Sequence, residues 1–243
     1  MRPAGYHFRE SMDILMRARW VGPYLLVPPI LAFMVYAEGY LSAHGFTGSF
    51  SMEQRGVLAL WNATLLLALA SGIKSCLFFS DLWGSRWFRN ALALPAGRAS
   101  GYWGPVLAVM VVSLGMYALA TGAVAAALPD LGGFPWLRVL AGSCAPVVWA
   151  VCLGALLGIL TTGPAGAVLF TSVLMLGFLA GLPLDPALPG WALRIVPPVG
   201  RIMTSSMGTG SGMLETALLM AHAAAALVVG RLLYGYGASG GRS

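Results

Sequence analysis

Six apolar stretches, each about as long as a bilayer is thick, occupy most of this 243-residue chain. An α-helix needs about 20 predominantly apolar residues to cross a hydrocarbon core of about 30 Å, and each stretch meets or nearly meets that length. The pattern therefore predicts six transmembrane helices. They cover Val21–Leu41, Val57–Phe78, Trp103–Leu128, Leu137–Leu160, Ala165–Leu182 and Thr216–Tyr234.

The composition excludes a soluble domain of this size. Only 9% of the residues are charged and 58% are hydrophobic, whereas soluble domains carry about 25% Asp, Glu, Lys and Arg. The connections between the stretches are short and leave no room for a separate soluble domain. We therefore expect a single all-α integral membrane domain over residues 1–243, with six transmembrane helices.

Basic residues are distributed unevenly between the two sides that six spans would create. Ten of the 14 Lys and Arg residues fall on the side of the termini and of the connection between the second and third spans. Cytoplasmic segments carry the excess of positive charge in membrane proteins, so both termini are predicted to be cytoplasmic. The net charge of +6 is then a topology signal, since no basic soluble module points to nucleic acid. The ten are Arg2, Arg9, Arg17, Arg19, Lys74, Arg86, Arg89, Arg98, Arg231 and Arg242, and the other side has Arg55, Arg138, Arg194 and Arg201.

The residues before the first stretch have the pattern of an amphipathic helix. Apolar residues recur there at helical spacing, and charged residues occupy the opposite face. Such a helix lies at the membrane surface and leads into the first span; a simple basic anchor is the alternative. Charges of both signs argue against a cleavable signal peptide. The predicted helix covers Phe8–Trp20, with Phe8, Met12, Leu15 and Met16 on the apolar face and Arg9, Glu10, Asp13 and Arg17 opposite.

Polar residues within the stretches are few, and they restrict the kinds of transport that this chain could perform. Lys74 is close enough to the inner end of the second span to extend its amino group to the interface. His222 has no carboxylate on a neighbouring span, so a hydrogen bond between helices is favoured over a proton relay. A proton- or sodium-coupled carrier needs a buried acid, and the stretches contain none suited to that role. The energy for transport is therefore expected to come from elsewhere, with a secondary transporter as an alternative.

Cysteines and glycines in the stretches are expected to serve packing. Cys76, Cys144 and Cys152 lie in or at the edge of spans without a CxxC pattern, so small buried thiols are predicted and no zinc site. Two pairs of glycines four residues apart would let helices approach closely. Packing within the chain is the favoured interpretation, and a dimer contact is the alternative. The pairs are Gly154-x-x-x-Gly158 and Gly177-x-x-x-Gly181.

The predicted cytoplasmic connection between the second and third spans carries the most specific pattern. It contains a short helical segment, Asp81–Leu94, that is rich in Trp and Arg. Taken alone, this composition is also typical of a membrane-surface helix. Within and after it come an acidic residue, a glycine, a Leu-Pro pair, an arginine and a further glycine. These residues are Asp81, Gly84, Leu94-Pro95, Arg98 and Gly104.

With this connection the chain resembles the permease subunits of type 2 ABC exporters. In that family the connection has this order of residues, an amphipathic interface helix precedes six spans, and a re-entrant helical pair joins the fifth span to the sixth. The connection Pro183–Met213 is apolar and interrupted by prolines, and it resembles that pair. Pro105 stands where the family often has a lysine.

The resemblance implies an ATP-driven exporter in a prokaryotic cytoplasmic (inner) membrane. Two permease subunits, identical or related, would form the substrate pathway, and each would rest on a cytosolic ABC ATPase. That partner would bind ATP and Mg, because this chain has no nucleotide-binding motif; alone it is expected to be no enzyme and to bind no cofactor or metal. The residues implied in ATPase coupling are Asp81, Trp83, Gly84, Arg86, Trp87, Arg89, Leu94, Pro95 and Arg98, and those implied at the pathway or dimer contact are Pro28, Pro29, Asn62, Gly177 and Gly181.

The cargo is not specified by the sequence. The scarcity of charge within the stretches favours an apolar, amphipathic or lipid-linked cargo over a metal ion or a free sugar. The alternative function is a membrane assembly or scaffold subunit of a maturation complex, which would bind a partner enzyme and transport nothing.

Overall fold

The computed structural model describes residues 6–16, 30, 52–84, 97–127, 136–161, 164–179, 196–202 and 212–240. Over these residues the chain is helical and contains no strand, as the apolar pattern predicts. The helices are α1 (Tyr6–Leu15), α2 (Met52–Gly84), α3 (Gly97–Ala127), α4 (Trp136–Leu160), α5 (Pro164–Leu179) and α6 (Met213–Gly240).

Four of these helices are long and apolar enough to cross a membrane, which indicates a membrane protein. Helix α5 is apolar but has 16 residues, about 24 Å at 1.5 Å per residue. The end of the predicted fifth span, most of the first span Val21–Leu41 and most of the connection Pro183–Met213 lie outside the described residues. The count of six spans therefore stays a prediction. The four candidate spans are Gly56–Trp83, Gly101–Ala126, Gly142–Leu160 and Met213–Gly235.

Helix α4 is central to the bundle, since it contacts α2, α3, α5 and α6. Its most extensive contact is with α2 and depends on glycine. A Cβ at Gly154 would collide with the Gly72 carbonyl oxygen, and one at Gly158 would collide with a carbonyl oxygen one turn further along α2. Between these points Ser75 donates a hydrogen bond to the Val151 carbonyl oxygen at 2.9 Å. The Gly154–Gly158 pattern thus serves close packing within the chain, the interpretation favoured from the sequence.

Hydrogen bonds between buried polar groups connect α3 to α4. The Tyr117 hydroxyl donates to the Leu140 carbonyl oxygen at 3.2 Å and is also hydrogen-bonded to the Ser143 hydroxyl. Tyr117 and Ser143 are both buried, so these bonds satisfy groups that would otherwise be costly within an apolar bundle.

Helix α1 packs against the beginning of α3, and its buried face differs from the predicted one. His7, Ser11 and Leu15 are buried, at positions four residues apart and hence on one side of the helix. Met16, predicted on the apolar face, is 62% exposed. The helices approach closely because Gly104 has no side chain: an added Cβ would lie 2.9 Å from the His7 Cβ. Because Gly104 has no side chain, α3 can pack directly against His7, and hydropathy alone does not predict the burial of this polar residue.

The remainder of α1 follows the predicted pattern. The charged residues Arg9 and Asp13 are exposed, and Phe8 and Met12 are half-buried. His7 Nδ1 lies 4.0 Å from Glu10 Oε2 on the same helix. The later part of the predicted interface helix, residues 17–20, lies outside the described residues.

Candidate functional site

The predicted coupling segment begins on a long helix, because Asp81–Gly84 is the last turn of α2. Asp81 is exposed, Leu82 is buried and Trp83 is half-buried, since successive helical positions are rotated by about 100°. Arg98 lies in the first turn of α3, which begins at Gly97. The coupling positions between these two helices lie outside the described residues, namely Arg86, Trp87, Arg89, Leu94 and Pro95.

Four aromatic side chains meet where α2 ends and α3 begins. Phe79, Trp83, Tyr102 and Tyr234 are here named the Tyr102 cluster. The ring centroids of Trp83 and Tyr234 are 5.8 Å apart with an edge-on arrangement, and those of Tyr102 and Tyr234 are 5.6 Å apart. Phe79 lies on the other side, 6.5 Å from Tyr102. All three separations fall within about 4.5–7 Å, the range of favourable aromatic pairs.

Tyr102 is the centre of this cluster and fastens α6 to α3. Its side chain is fully buried, and its hydroxyl donates a hydrogen bond to the Leu227 carbonyl oxygen at 3.0 Å. The hydroxyl can reach the α6 backbone because Gly230 has no Cβ, which would lie 2.7 Å from the hydroxyl oxygen. Helix α6 is therefore held by α3 through a main-chain carbonyl and by α2 through the Trp83–Tyr234 contact.

The Tyr102 cluster gives Trp83 a packing role that the sequence does not indicate. Trp83 was predicted at the ATPase contact, and that role stays a prediction; within the chain its ring lies against Tyr234. Tyr102 and Tyr234 belong to none of the motifs recognised in the sequence. The available signal is weak: aromatic residues near the ends of spans are common in membrane proteins, because their rings suit the interface.

These contacts gather four elements at one end of the bundle. The end of α2 and the end of α6 meet through Trp83 and Tyr234, the beginning of α3 joins them through Tyr102, and α1 packs beside it at Gly104. The residues between α2 and α3, which carry most of the predicted coupling positions, start and finish at this end.

Lys74 does not behave as the sequence suggests. It was expected to extend its amino group towards the interface, but its side chain is only 4% exposed. Ser71 and Phe78, on the same side of α2, are buried as well. The prediction of an exposed, interface-seeking amine is therefore wrong for this side chain, because neighbouring helices enclose that face of α2.

The predicted pathway positions are only partly described. Asn62 is half-buried on α2, and Gly177 is buried on α5, where an added Cβ would lie 2.8 Å from the Pro197 carbonyl oxygen. Pro28, Pro29 and Gly181 lie outside the described residues. A small apolar cavity of about 10 Å³ lies between described helices and contains none of these positions in its lining; it has room for about one water-sized sphere. Its lining consists of Trp61, Thr64, Leu65, Pro146, Phe178 and Val199.

The histidine and cysteine side chains within the described residues lie apart from one another in their roles. His222 Nδ1 is hydrogen-bonded to the Leu218 carbonyl oxygen at 2.8 Å, so this bond lies within α6 and not between helices as the sequence suggested. Cys76, Cys144 and Cys152 are free thiols. No group of three or more His, Cys, Asp or Glu among the described residues could hold a metal ion.

Comparisons of this chain with protein-family models, with curated proteins and with solved structures found no match.

Proposed function

We propose that this chain is the membrane-spanning permease subunit of an ATP-driven exporter of the type 2 ABC class. The observation that supports the proposal is that the predicted coupling sequence starts and finishes beside the Tyr102 cluster. The segment from Asp81 to Arg98 connects two long helices, and the adjoining ends of those helices are packed against α1 and α6 (Trp83 to Tyr234, Gly104 to His7).

This arrangement suits a chain that is moved by a separate motor. A movement of the residues between α2 and α3 would displace two long helices, of 33 and 31 residues. The aromatic contacts of the Tyr102 cluster would pass that displacement to α6. The same end of the bundle also holds α1. If the connection is cytoplasmic, as the basic residues predict, then α1 and the end of α6 are cytoplasmic too.

A second permease subunit is part of the proposal. The cavity lined by Trp61 and Phe178 has a volume of about 10 Å³, which is too small to pass a cargo, and Gly177 packs closely against Pro197. By contrast, α5 presents large apolar side chains outward, including Val168 at 66% and Leu176 at 61% exposure. A route between two subunits, with α5 of each nearby, is consistent with both facts and with the closed two-fold pairing common among oligomers.

The cargo class proposed is apolar, amphipathic or lipid-linked. Within the described part of the candidate spans, several hydroxyl groups donate hydrogen bonds to backbone carbonyl oxygens, as Thr64 does to the Leu60 carbonyl oxygen at 2.8 Å. Hydroxyl groups engaged in this way offer little to replace the hydration of a sugar or a metal ion.

The test is binding of a cytosolic motor. If an adjacent reading frame encodes an ABC ATPase, the chain would be co-expressed with it, and the pair would be purified in detergent through a tag on this chain. Arg86→Ala with Arg89→Ala should weaken co-purification, because arginines anchor protein interfaces and losing one costs about 2 kcal/mol or more at such sites.

A control comes from the predicted outer connection. Phe50→Ala with Arg55→Ala removes an aromatic and an arginine from the opposite side and should leave ATPase binding unchanged. Binding that is equal in both double variants, or a complex that contains no ATPase, would contradict the proposal. A stable partner that is an ATP-independent enzyme would instead indicate the scaffold function.

A further inference from the structure

Helix α6 is the least enclosed of the four candidate spans. Only 22% of its most apolar 18-residue segment is buried, compared with 61% for the corresponding segment of α2 and 72% for that of α4. Along its middle it meets α4 through Leu219, Ala223 and Ala226, which are all buried and mostly small. Small side chains at this interface let the backbones of α6 and α4 approach closely.

At its end, α6 is held by the interlocking rings of the Tyr102 cluster. Tyr234 is 3% exposed and lies between Trp83 of α2 and Tyr102 of α3. Trp83 is in the last turn before the coupling positions between α2 and α3. A displacement of that turn would therefore reach α6 through the Tyr234 ring.

We infer that Tyr234 and Tyr102 are positioning residues that make α6 move with the coupling segment. The Trp83 ring moves Tyr234, while the hydrogen bond from the Tyr102 hydroxyl to the Leu227 carbonyl oxygen acts as a pivot at the middle of the helix. The inference rests on the proposed function and extends it, because it names the span that receives the motor's movement and the side chains that pass it on.

The experiment measures movement of α6 in the complex with the co-expressed ATPase. A spin label on Leu214→Cys, a position 78% exposed near the start of α6, is placed in a background in which the native cysteines are alanine. Pulsed EPR gives the label-to-label distance across the two subunits in lipid nanodiscs, without nucleotide and after trapping with Mg-ATP and vanadate. The parent complex should show a shift in this distance on trapping.

Variants of the Tyr102 cluster should distinguish a loss of movement in α6 from a loss of folding. Tyr234→Ala should abolish the shift while ATPase co-purification and hydrolysis persist, because the motor still binds but no longer reaches α6. Tyr234→Phe keeps the ring and should keep the shift. Tyr102→Phe removes only the hydroxyl bond to α6 and should reduce the shift; it also serves if Tyr234→Ala fails to fold. Tyr117→Leu removes a buried tyrosine from elsewhere on α3 and should leave the shift unchanged.

The outcomes distinguish the inference from the function on which it rests. A full shift in both Tyr234→Ala and Tyr102→Phe, with the ATPase bound, overturns the inference and leaves the permease proposal standing. Loss of the shift in Tyr117→Leu as well indicates general loosening of the bundle and also overturns the inference. A parent complex that binds no ATPase overturns the proposed function and the inference with it.

Discussion

Docking of α1 on α3 depends on the missing side chain at Gly104, so Gly104→Ala should weaken that docking measurably. The added Cβ would lie 2.9 Å from the His7 Cβ and 3.0 Å from both the His7 carbonyl carbon and the Phe8 nitrogen. Two of these atoms belong to the backbone and cannot rotate away. The helices must therefore separate by about 0.5 Å to reach a normal contact of about 3.5 Å. Overpacking of this kind costs about 1–3 kcal/mol.

That cost is similar in size to what α1 gains by docking. Leu15 is fully buried in the docked state, and burying such a side chain contributes about 1.5–3 kcal/mol. Gly104→Ala should raise the undocked-to-docked ratio by about 5- to 150-fold, the range that corresponds to 1–3 kcal/mol. Gly104→Leu adds three further carbons at the same point and should leave α1 largely undocked.

The rate of maleimide labelling at Ser11→Cys reports this equilibrium. Ser11 is fully buried, so its thiol replacement should react slowly in the parent, faster with Gly104→Ala and fastest with Gly104→Leu, all in a background without native thiols. Asp13→Cys, on the exposed face, should react rapidly in every case. Gly115→Ala lies on the same helix with nothing within 4 Å of the added Cβ and should leave the rate at Ser11→Cys unchanged. Equal protection of Ser11→Cys in the parent and in Gly104→Leu would refute the docking argument.

Three further changes test the packing and the topology. Gly158→Leu should lower the thermal midpoint of the purified protein, because its Cβ collides with the backbone of α2, whereas Gly122→Leu, with nothing within 4 Å, should change it little. An equal effect of the two would contradict the close α2–α4 contact. Impermeant thiol reagents added to sealed cells should label Ser49→Cys but not Ser85→Cys, as the basic residues predict; labelling of Ser85→Cys from outside would reverse the proposed orientation. Tyr117→Phe should lower the thermal midpoint by less than Gly158→Leu, because it removes hydrogen bonds worth about 1 kcal/mol without steric overlap. A larger drop than that of Gly158→Leu would contradict this estimate of the hydrogen-bond contribution.

Helix ends were predictable from the sequence where a chemical signal marks them. The fourth stretch, Leu137–Leu160, differs from α4 by one residue at its start, and Pro164 begins α5 because a proline at the first helical position gives up no hydrogen bond. The second stretch ends at Phe78, yet α2 continues to Gly84. Hydropathy marks the thickness of the apolar layer, and a helix can continue beyond it with polar residues facing water.

The candidate site was less predictable, since its contacts join residues that are far apart in the chain. Tyr102 directly precedes the third stretch and Tyr234 ends the sixth, so each taken separately is an ordinary residue near the end of a span. Their proximity follows from the way α6 packs on α3, which depends on Gly230. The burial of His7 on α1 depends in the same way on a residue far along the chain, because Gly104 has no side chain where α1 approaches α3.

The glycine at position 104 links the family resemblance to a local physical cause. The resemblance singles out Gly104 as part of a sequence order, and in the structure the same residue is the point at which α1 approaches α3 without a side chain between them. Two residues earlier, Tyr102 donates a hydrogen bond to α6. The predicted coupling positions directly precede these turns, because α3 begins at Gly97. The beginning of α3 is thus where α1, α6 and the coupling segment meet. A motor acting on the coupling segment would therefore displace α1 together with α6, so Gly104→Leu should free α1 from this movement while the label on Leu214→Cys still shifts.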